Sequence, residues 1–277
     1  MDIYKNFVGF GVAGNFALHL EQAGESADFS DVITDDPNGP KGMFPFYIPN
    51  RSDFLGIFPL SANTLILPEK KCNVQIEPEV ALVCDLTYDT SGNVTAIIPR
   101  FFGAYNDCSL RVEGAAKISH KKNWGINSKG LSSTLIPIDT FESGGVMDHY
   151  RIASFLRRDG ALMRYGEDVE LTGYSYFYTK LLEWMRQQIN TQGNVGPLEP
   201  ISDYLKESGN PTSAIISIGA TRYTPFGETN FLQEGDEIIV VVYDNNLYCM
   251  NPILMMTNSG KLNVEGISAL VQKVVSA

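Results

Sequence analysis

Glu77 and Glu79 stand two residues apart in CNVQIEPEVALVCDL (72–86), a stretch otherwise rich in Val, Ile and Leu. Alternate residues of a strand share a face, so both carboxylates point one way and Pro78 the other. Carboxylates crowded on one face of an apolar strand repel each other and lose hydration. Burying even one without a partner costs several kcal/mol or drives it to protonate. A divalent cation between them removes both problems. Asp107 lies in FFGAYNDCSLR, about thirty residues on, a separation from which a chain can turn over and return to the same sheet. Three carboxylate ligands suit a hard ion, Mg2+, Mn2+ or Ca2+, rather than zinc. The alternative is a half-exposed strand with both glutamates facing solvent. Pro78 favours that alternative, because Pro is confined to edge strands, strand starts and bulges.

Further motifs flank this trio in a fixed order. IEPEVALV (76–83) is a Glu-x-Glu running into a hydrophobic strand, and GAYNDCSLR ends on Asn106, Asp107 and Arg111. NWGINSKG follows with Trp124 and Lys129, while upstream GNFALHLEQAGE carries Asn15, Phe16 and His19. Downstream, SIGATRYTPFGETNFLQEGDEIIVVV holds Thr221 and a Gly-Asp turn. Taken together, over roughly residues 8–245, these elements resemble the fumarylacetoacetate hydrolase superfamily. The resemblance implies a mixed β-sandwich roll with a few peripheral helices, and a homodimer. It also implies a metal held by Glu77, Glu79 and Asp107, with His19 as the catalytic base on a lid helix. Lys129 becomes a catalytic or substrate-holding residue, and Arg111, Gln22 and Thr221 join it around a small 2-oxo or β-diketo acid.

Two departures bear on the reaction. Many members that cleave carbon–carbon bonds carry Glu three residues after the His, where this chain has Gln22; Glu21 and Glu25 are near but out of place. The segment at 186–211 is longer than its counterpart, and the Pro-Gly-Asp before the late glycine motif is missing. The implied activity is metal-dependent cleavage or decarboxylation of a small 2-oxo or β-diketo acid. The alternatives are an isomerase or dehydratase on the same fold, a relative that binds the acid without turning it over, or an interaction protein with no metal.

The elements that must position these residues read as α+β. The chain has 277 residues, 44% hydrophobic, enough for one well-filled domain. We expect a single catalytic unit over 1–277, with a lid helix and irregular arm over 1–62 and a β-roll core over 63–277. Two β segments flank a turn at Asp89–Asn93, more strands fall within 132–172, and apolar runs at Ala214–Ala220 and Glu237–Tyr243 read as buried strands. TKLLEWMRQQIN (179–190) places Leu181, Leu182, Met185 and Ile189 on one helical face. Short helices are expected at Asn15–Ala23, capped by Asn15, and at 202–208, capped by Ser202. The spacing of Ile267, Leu270, Val271 and Val274 predicts a closing amphipathic helix over Val264–Val275. Residues 26–52, rich in Pro, Gly and Asp, read as an irregular loop with short extended pieces.

Other readings are narrowed by composition and context. GFGVAG (9–14) fits the dinucleotide fingerprint GxGxxG, but a weak strand precedes it and a Pro/Gly loop follows the helix, so the glycines are read as a tight turn. The net charge of −11, with no basic cluster, argues against nucleic acid. No long apolar run points to a membrane span, and the N-terminus lacks signal-peptide features. Cys72, Cys84, Cys108 and Cys249 show no metal-ligand spacing and suit a reducing, cytoplasmic setting. His120, beside Lys121 and Lys122, reads as solvent-exposed, and His149 finds no supporting pattern.

Overall fold

The structure is a computed structural model that describes residues 1–25, 29, 32 and 36–277. A 3-10 turn over Asp2–Asn6 leads into β1 (Val8–Ala13), followed by α1 (His19–Gln22) and β2 (Gly42–Tyr47). Three short strands come next: β3 (Leu60–Ser61), β4 (Thr64–Ile66) and β5 (Asn73–Gln75). A long hairpin, β6 (Pro78–Tyr88) and β7 (Val94–Asn106), is followed by β8 (Ser109–Arg111), α2 (Ser119–Lys122), β9 (Lys129–Leu131) and β10 (Ile136–Pro137). A second hairpin, β11 (Tyr150–Arg158) and β12 (Ala161–Glu170), precedes α3 (Tyr178–Thr191) and α4 (Ile201–Glu207). The chain closes with β13 (Ser213–Ser217), α5 (Pro225–Thr229), β14 (Glu237–Asp244), α6 (Met250–Ser259) and β15 (Ile267–Val275).

Among the described residues the strands form three sheets. The largest runs β2-β1-β13-β6-β7-β9-β3, with β10 on the side of β7; the second runs β12-β11-β14-β15-β4; β5 and β8 pair alone. Parallel pairs (β1 with β13, β3 with β9, β15 with β4) sit among antiparallel ones. The fold is α+β, a mixed β-roll with helices at its periphery. Its core joins both large sheets, with Val80, Leu82, Phe102 and Ala104 in one cluster with Ile152, Leu156, Val240, Val242 and Leu270. β6 is buried on both faces over most of its length, which is why PEVALVC lacks the alternation of a half-exposed strand.

Several expectations from the sequence need correction. The last element is a strand, not a helix. From Leu270 onward its burial alternates: Val271 is 38% exposed, while the polar Gln272 is buried. The helix expected at Asn15–Ala23 is only the turn His19–Gln22, preceded by Leu18 in a left-handed conformation, φ 68°. Asn15 does not cap it; its side chain is buried and bonds to the backbone of Tyr176 and Ile218. The second short helix is Ile201–Glu207, preceded by Pro200 rather than capped by Ser202.

The glycines of GFGVAG lie inside β1 rather than in a turn, apart from Gly14 at φ 72°. A Cβ on Gly9 would come within 2.2 Å of the Phe46 ring, and one on Gly11 within 2.2 Å of the Phe44 ring. Those rings come from β2, a fully buried strand inside the stretch read as an irregular loop. Part of that loop, at 26–28, 30–31 and 33–35, lies outside the described residues. β1, β2 and β3 all come from residues 1–62, so this segment builds much of the main sheet.

Candidate metal centre

The long hairpin brings the acidic trio together. Pro78 pairs with Asn106 and Glu79 with Tyr105, so the register carries Asp107 opposite Glu77 just past the strand ends. The Asp107 amide donates to the Glu77 carbonyl at 3.0 Å, and the Glu77 amide to Asn106 Oδ1 at 3.2 Å. Pro78 begins its strand, a position that Pro tolerates. Glu77 and Glu79 are each 2% exposed and Asp107 is fully buried, which rules out the solvent-face alternative. One carboxylate oxygen from each residue lies within 4.8 Å of the other two. Oxygens bound to one ion at about 2.0–2.6 Å can stand no farther apart than about 5.2 Å, so the spacing fits a single hard cation.

Positive side chains surround the trio. Arg111 Nη2 lies 2.9 Å from Glu77 Oε1, and Lys129 Nζ lies 2.8 Å from Asp107 Oδ1. Lys122 Nζ touches Glu77 Oε2 and lies 2.5 Å from Asp107 Oδ2. Glu25 Oε1 takes both Arg111 Nη1 and Lys121 Nζ at 2.7 Å. Among the described residues the cluster thus sets Glu25, Glu77, Glu79 and Asp107 against Arg111, Lys121, Lys122 and Lys129. Glu77 Oε1 and both Asp107 oxygens sit at ion-pair range from cations yet make no aligned hydrogen bond. A spherical ion, indifferent to N–H direction, satisfies such oxygens. The donor set and its geometry fit a divalent metal.

Burial and neighbours divide the charges. Burial pushes the Glu79 carboxyl well above the usual range, and Asp107 and Glu77 add to it against the pull of Lys122 and the Gly219 amide, which donates to Glu79 Oε2 at 2.9 Å. Burial acts the same way on Glu77, but Lys122 and Arg111 outweigh it and hold that carboxyl well below its ordinary value. For Lys129 burial outweighs the attraction of Asp107 and lowers the ammonium pKa.

The other expected site residues gather at the same place. His19 is buried and, with Glu77, Glu79, Glu25 and Lys122, lines a cavity of about 20 Å3. Burial lowers its pKa, which favours the neutral ring. Its Nδ1 is 3.0 Å from the Thr221 carbonyl, which can only accept, so Nδ1 carries the proton and Nε2 is the basic nitrogen. Gln22 does not reach His19 in this arrangement: its amide donates to the Tyr223 carbonyl and accepts from the Tyr223 amide. Thr221 donates its hydroxyl to the Pro78 carbonyl. Lys129 also donates to the backbone carbonyls of Asp107 and Cys108, at 3.0 and 3.2 Å. Arg111 further donates to Gln75 and to the Tyr223 hydroxyl. His120 is exposed, as expected, and packs against Phe54.

Sequence reasoning misses Lys122, which there is no more than a neighbour of His120. The available signal is its i, i+4 relation to the apolar Ile118, which puts both on one helical face; both are buried. Glycines at a distance help to hold it. Gly11 and Gly9 leave room for the Phe44 and Phe46 rings, and those rings face the ammonium groups of Lys122 at 5.1 Å and Lys129 at 6.0 Å. A cavity of about 770 Å3, lined by residues such as Lys71, Arg158 and Phe231, shares none with this site.

The fold is of the fumarylacetoacetate hydrolase type, and solved structures bear this out. The chain is similar to 2-keto-3-deoxyarabinonate dehydratase at 13% identity and a TM-score of 0.55, over 98% of this chain and 73% of that one. A structure of 2-keto-3-deoxy-D-arabinonate dehydratase complexed with magnesium and 2,5-dioxopentanoate aligns at 15% identity and 0.54, with the same coverage. A 5-carboxymethyl-2-hydroxymuconate delta-isomerase from Mycobacterium smegmatis aligns at 17% and 0.50, over 98% and 79%. No curated protein sequence matches. The chain belongs to the family described as "Family of unknown function (DUF5718)", which matches residues 25–274.

Proposed function

We propose that this protein is a divalent-metal-dependent enzyme that moves a proton next to the ketone of a small 2-oxo acid, completing a dehydration or an isomerisation. The observation that carries the reading is the buried trio of Glu77, Glu79 and Asp107, whose two glutamates line one cavity with a neutral, oriented His19. A divalent ion held by the trio would polarise the ketone and carboxylate oxygens of a chelating 2-oxo acid. His19 Nε2 would take the proton from the carbon beside the ketone, and the electron pair would move onto the ketone oxygen. Returning that proton to another carbon completes an isomerisation. Delivering it to a departing β-hydroxyl as water completes a dehydration. Lys129 contributes positive charge on the Asp107 side.

Hydrolytic cleavage of a carbon–carbon bond is the weaker reading. It calls for a base that activates water, and a carboxylate partner would raise the basicity of the imidazole. Here the His19 partner is a carbonyl, and the amide of Gln22 is engaged by Tyr223. Two fold neighbours of this chain are a dehydratase and an isomerase, which agrees with proton transfer as the common step.

The test is an assay with Mg2+ or Mn2+ on sugar-derived 2-oxo acids, oxaloacetate and acylpyruvates, with proton NMR in D2O to follow exchange beside the ketone. Exchange or turnover is expected for at least one sugar-derived acid, and His19→Ala is expected to lower it about 10²–10⁴-fold. A His19→Ala protein as active as the wild type would remove His19 from the chemistry.

A further inference from the structure

We propose that Lys122 is an internal cation that competes with the divalent ion for Glu77 and Asp107, so that the ion binds only when the lysine arm withdraws. This rests on the metal site of the proposed function. Lys122 Nζ touches Glu77 Oε2 and stands 2.5 Å from Asp107 Oδ2, which is the range at which a metal would hold those oxygens. Its side chain is only 4% exposed, so water does little to screen it from a second cation. Two cations on the same two oxygens in this interior repel each other strongly.

The position is built rather than incidental. Lys122 ends α2, whose residues Ser119, Lys121 and Lys122 are buried, and its ammonium faces the Phe44 ring, for which Gly11 makes room. Charge counting points the same way. The described cluster sets at most four negative charges against four cationic side chains. An ion adds two positive charges to that balance, and withdrawing Lys122 removes one. The lysine therefore sets how tightly the site takes its metal.

The test is calorimetric titration of MgCl2 and MnCl2 into the wild type and the Lys122→Met, Lys122→Gln and Lys122→Arg proteins, with circular dichroism to confirm folding. The Met and Gln proteins are expected to bind at least about tenfold more tightly than the wild type, a usual size for coupling between two ligands, and the Arg protein no more tightly. Equal affinity in the wild type and in either folded neutral variant overturns the proposal but leaves the metal site standing. No binding in any protein rejects the metal site, and this proposal with it. A wild-type readout covers the case in which neither neutral variant folds. Acetylation of Lys122, followed by mass spectrometry, should rise several-fold in saturating MnCl2, and an unchanged rate overturns the proposal.

Discussion

Lys129 has no accessible surface, yet its ammonium pairs with Asp107 Oδ1 and donates to the carbonyls of Asp107 and Cys108. It fastens one ligand of the proposed ion and the turn that presents it. Lys129→Met leaves a buried carboxylate short of a counter-charge, and breaking a buried pair in this way costs about 3–5 kcal/mol. Urea unfolding should show that loss, while the exposed Lys70→Ala should stay within about 0.5 kcal/mol of the wild type. A Lys129→Met protein of wild-type stability would mean that the lysine is not a structural partner of Asp107. At this scale the acids are legible, because two glutamates in an apolar strand conflict with burial unless something neutralises them. The neutralising lysine at 122 is not. A Lys beside His120 and Lys121 looks like solvated surface until the fold turns that helix inward. Gln22 is legible as a departure, but its engagement with the Tyr223 backbone depends on a segment two hundred residues away.

At the scale of elements, β1 and β2 act as a support for the site. Gly9 and Gly11 give the Phe46 and Phe44 rings their places, and those rings face Lys129 and Lys122. Gly11→Ala forces its new methyl into the Phe44 ring and should destabilise the protein by about 1–3 kcal/mol, read by chemical denaturation. A change below about 0.5 kcal/mol would show that Phe44 yields freely and does not station the lysine. Apolar runs broken by turn chemistry make the β6–β7 hairpin readable from the residues alone, and helical periodicity does the same for α3. β15 is misread because two of its inward residues are polar. Ser268 accepts from the Ala104 amide and donates to the Thr134 carbonyl, and Gln272 bonds Asn106 and the carbonyls of Thr64 and Lys129. A hydrophobic pattern counts such residues as outward, which leaves Ile267, Leu270, Val271 and Val274 to mimic a helical face. GFGVAG is misread for a related reason. The glycines answer to aromatic rings on a strand more than thirty residues away in the chain.

On the scale of the whole molecule, the site lies between the main sheet and the segment that carries α1, and its cavity of about 20 Å3 has room for roughly one water. Small-molecule sites usually measure about 300–1,000 Å3, so the proposed 2-oxo acid would need an opening movement to enter. α1 is the natural mover, since it is one turn long and is tied to the 221–223 segment by His19 and Gln22. Hydrogen exchange should therefore run at least about a hundredfold faster at the amides of residues 19–24 than at those of β6, where global unfolding is needed. Equal protection would place the opening elsewhere. Among the described residues no helix is long and apolar enough to cross a membrane. The central claim is that Glu77, Glu79 and Asp107 converge on one hard cation, and anomalous diffraction from crystals soaked in MnCl2 addresses it most directly. The account predicts a single manganese peak within about 2.0–2.6 Å of an oxygen from each of the three, with Lys122 turned away. Ordered density for all three carboxylates with no peak between them, at saturating manganese, would contradict it.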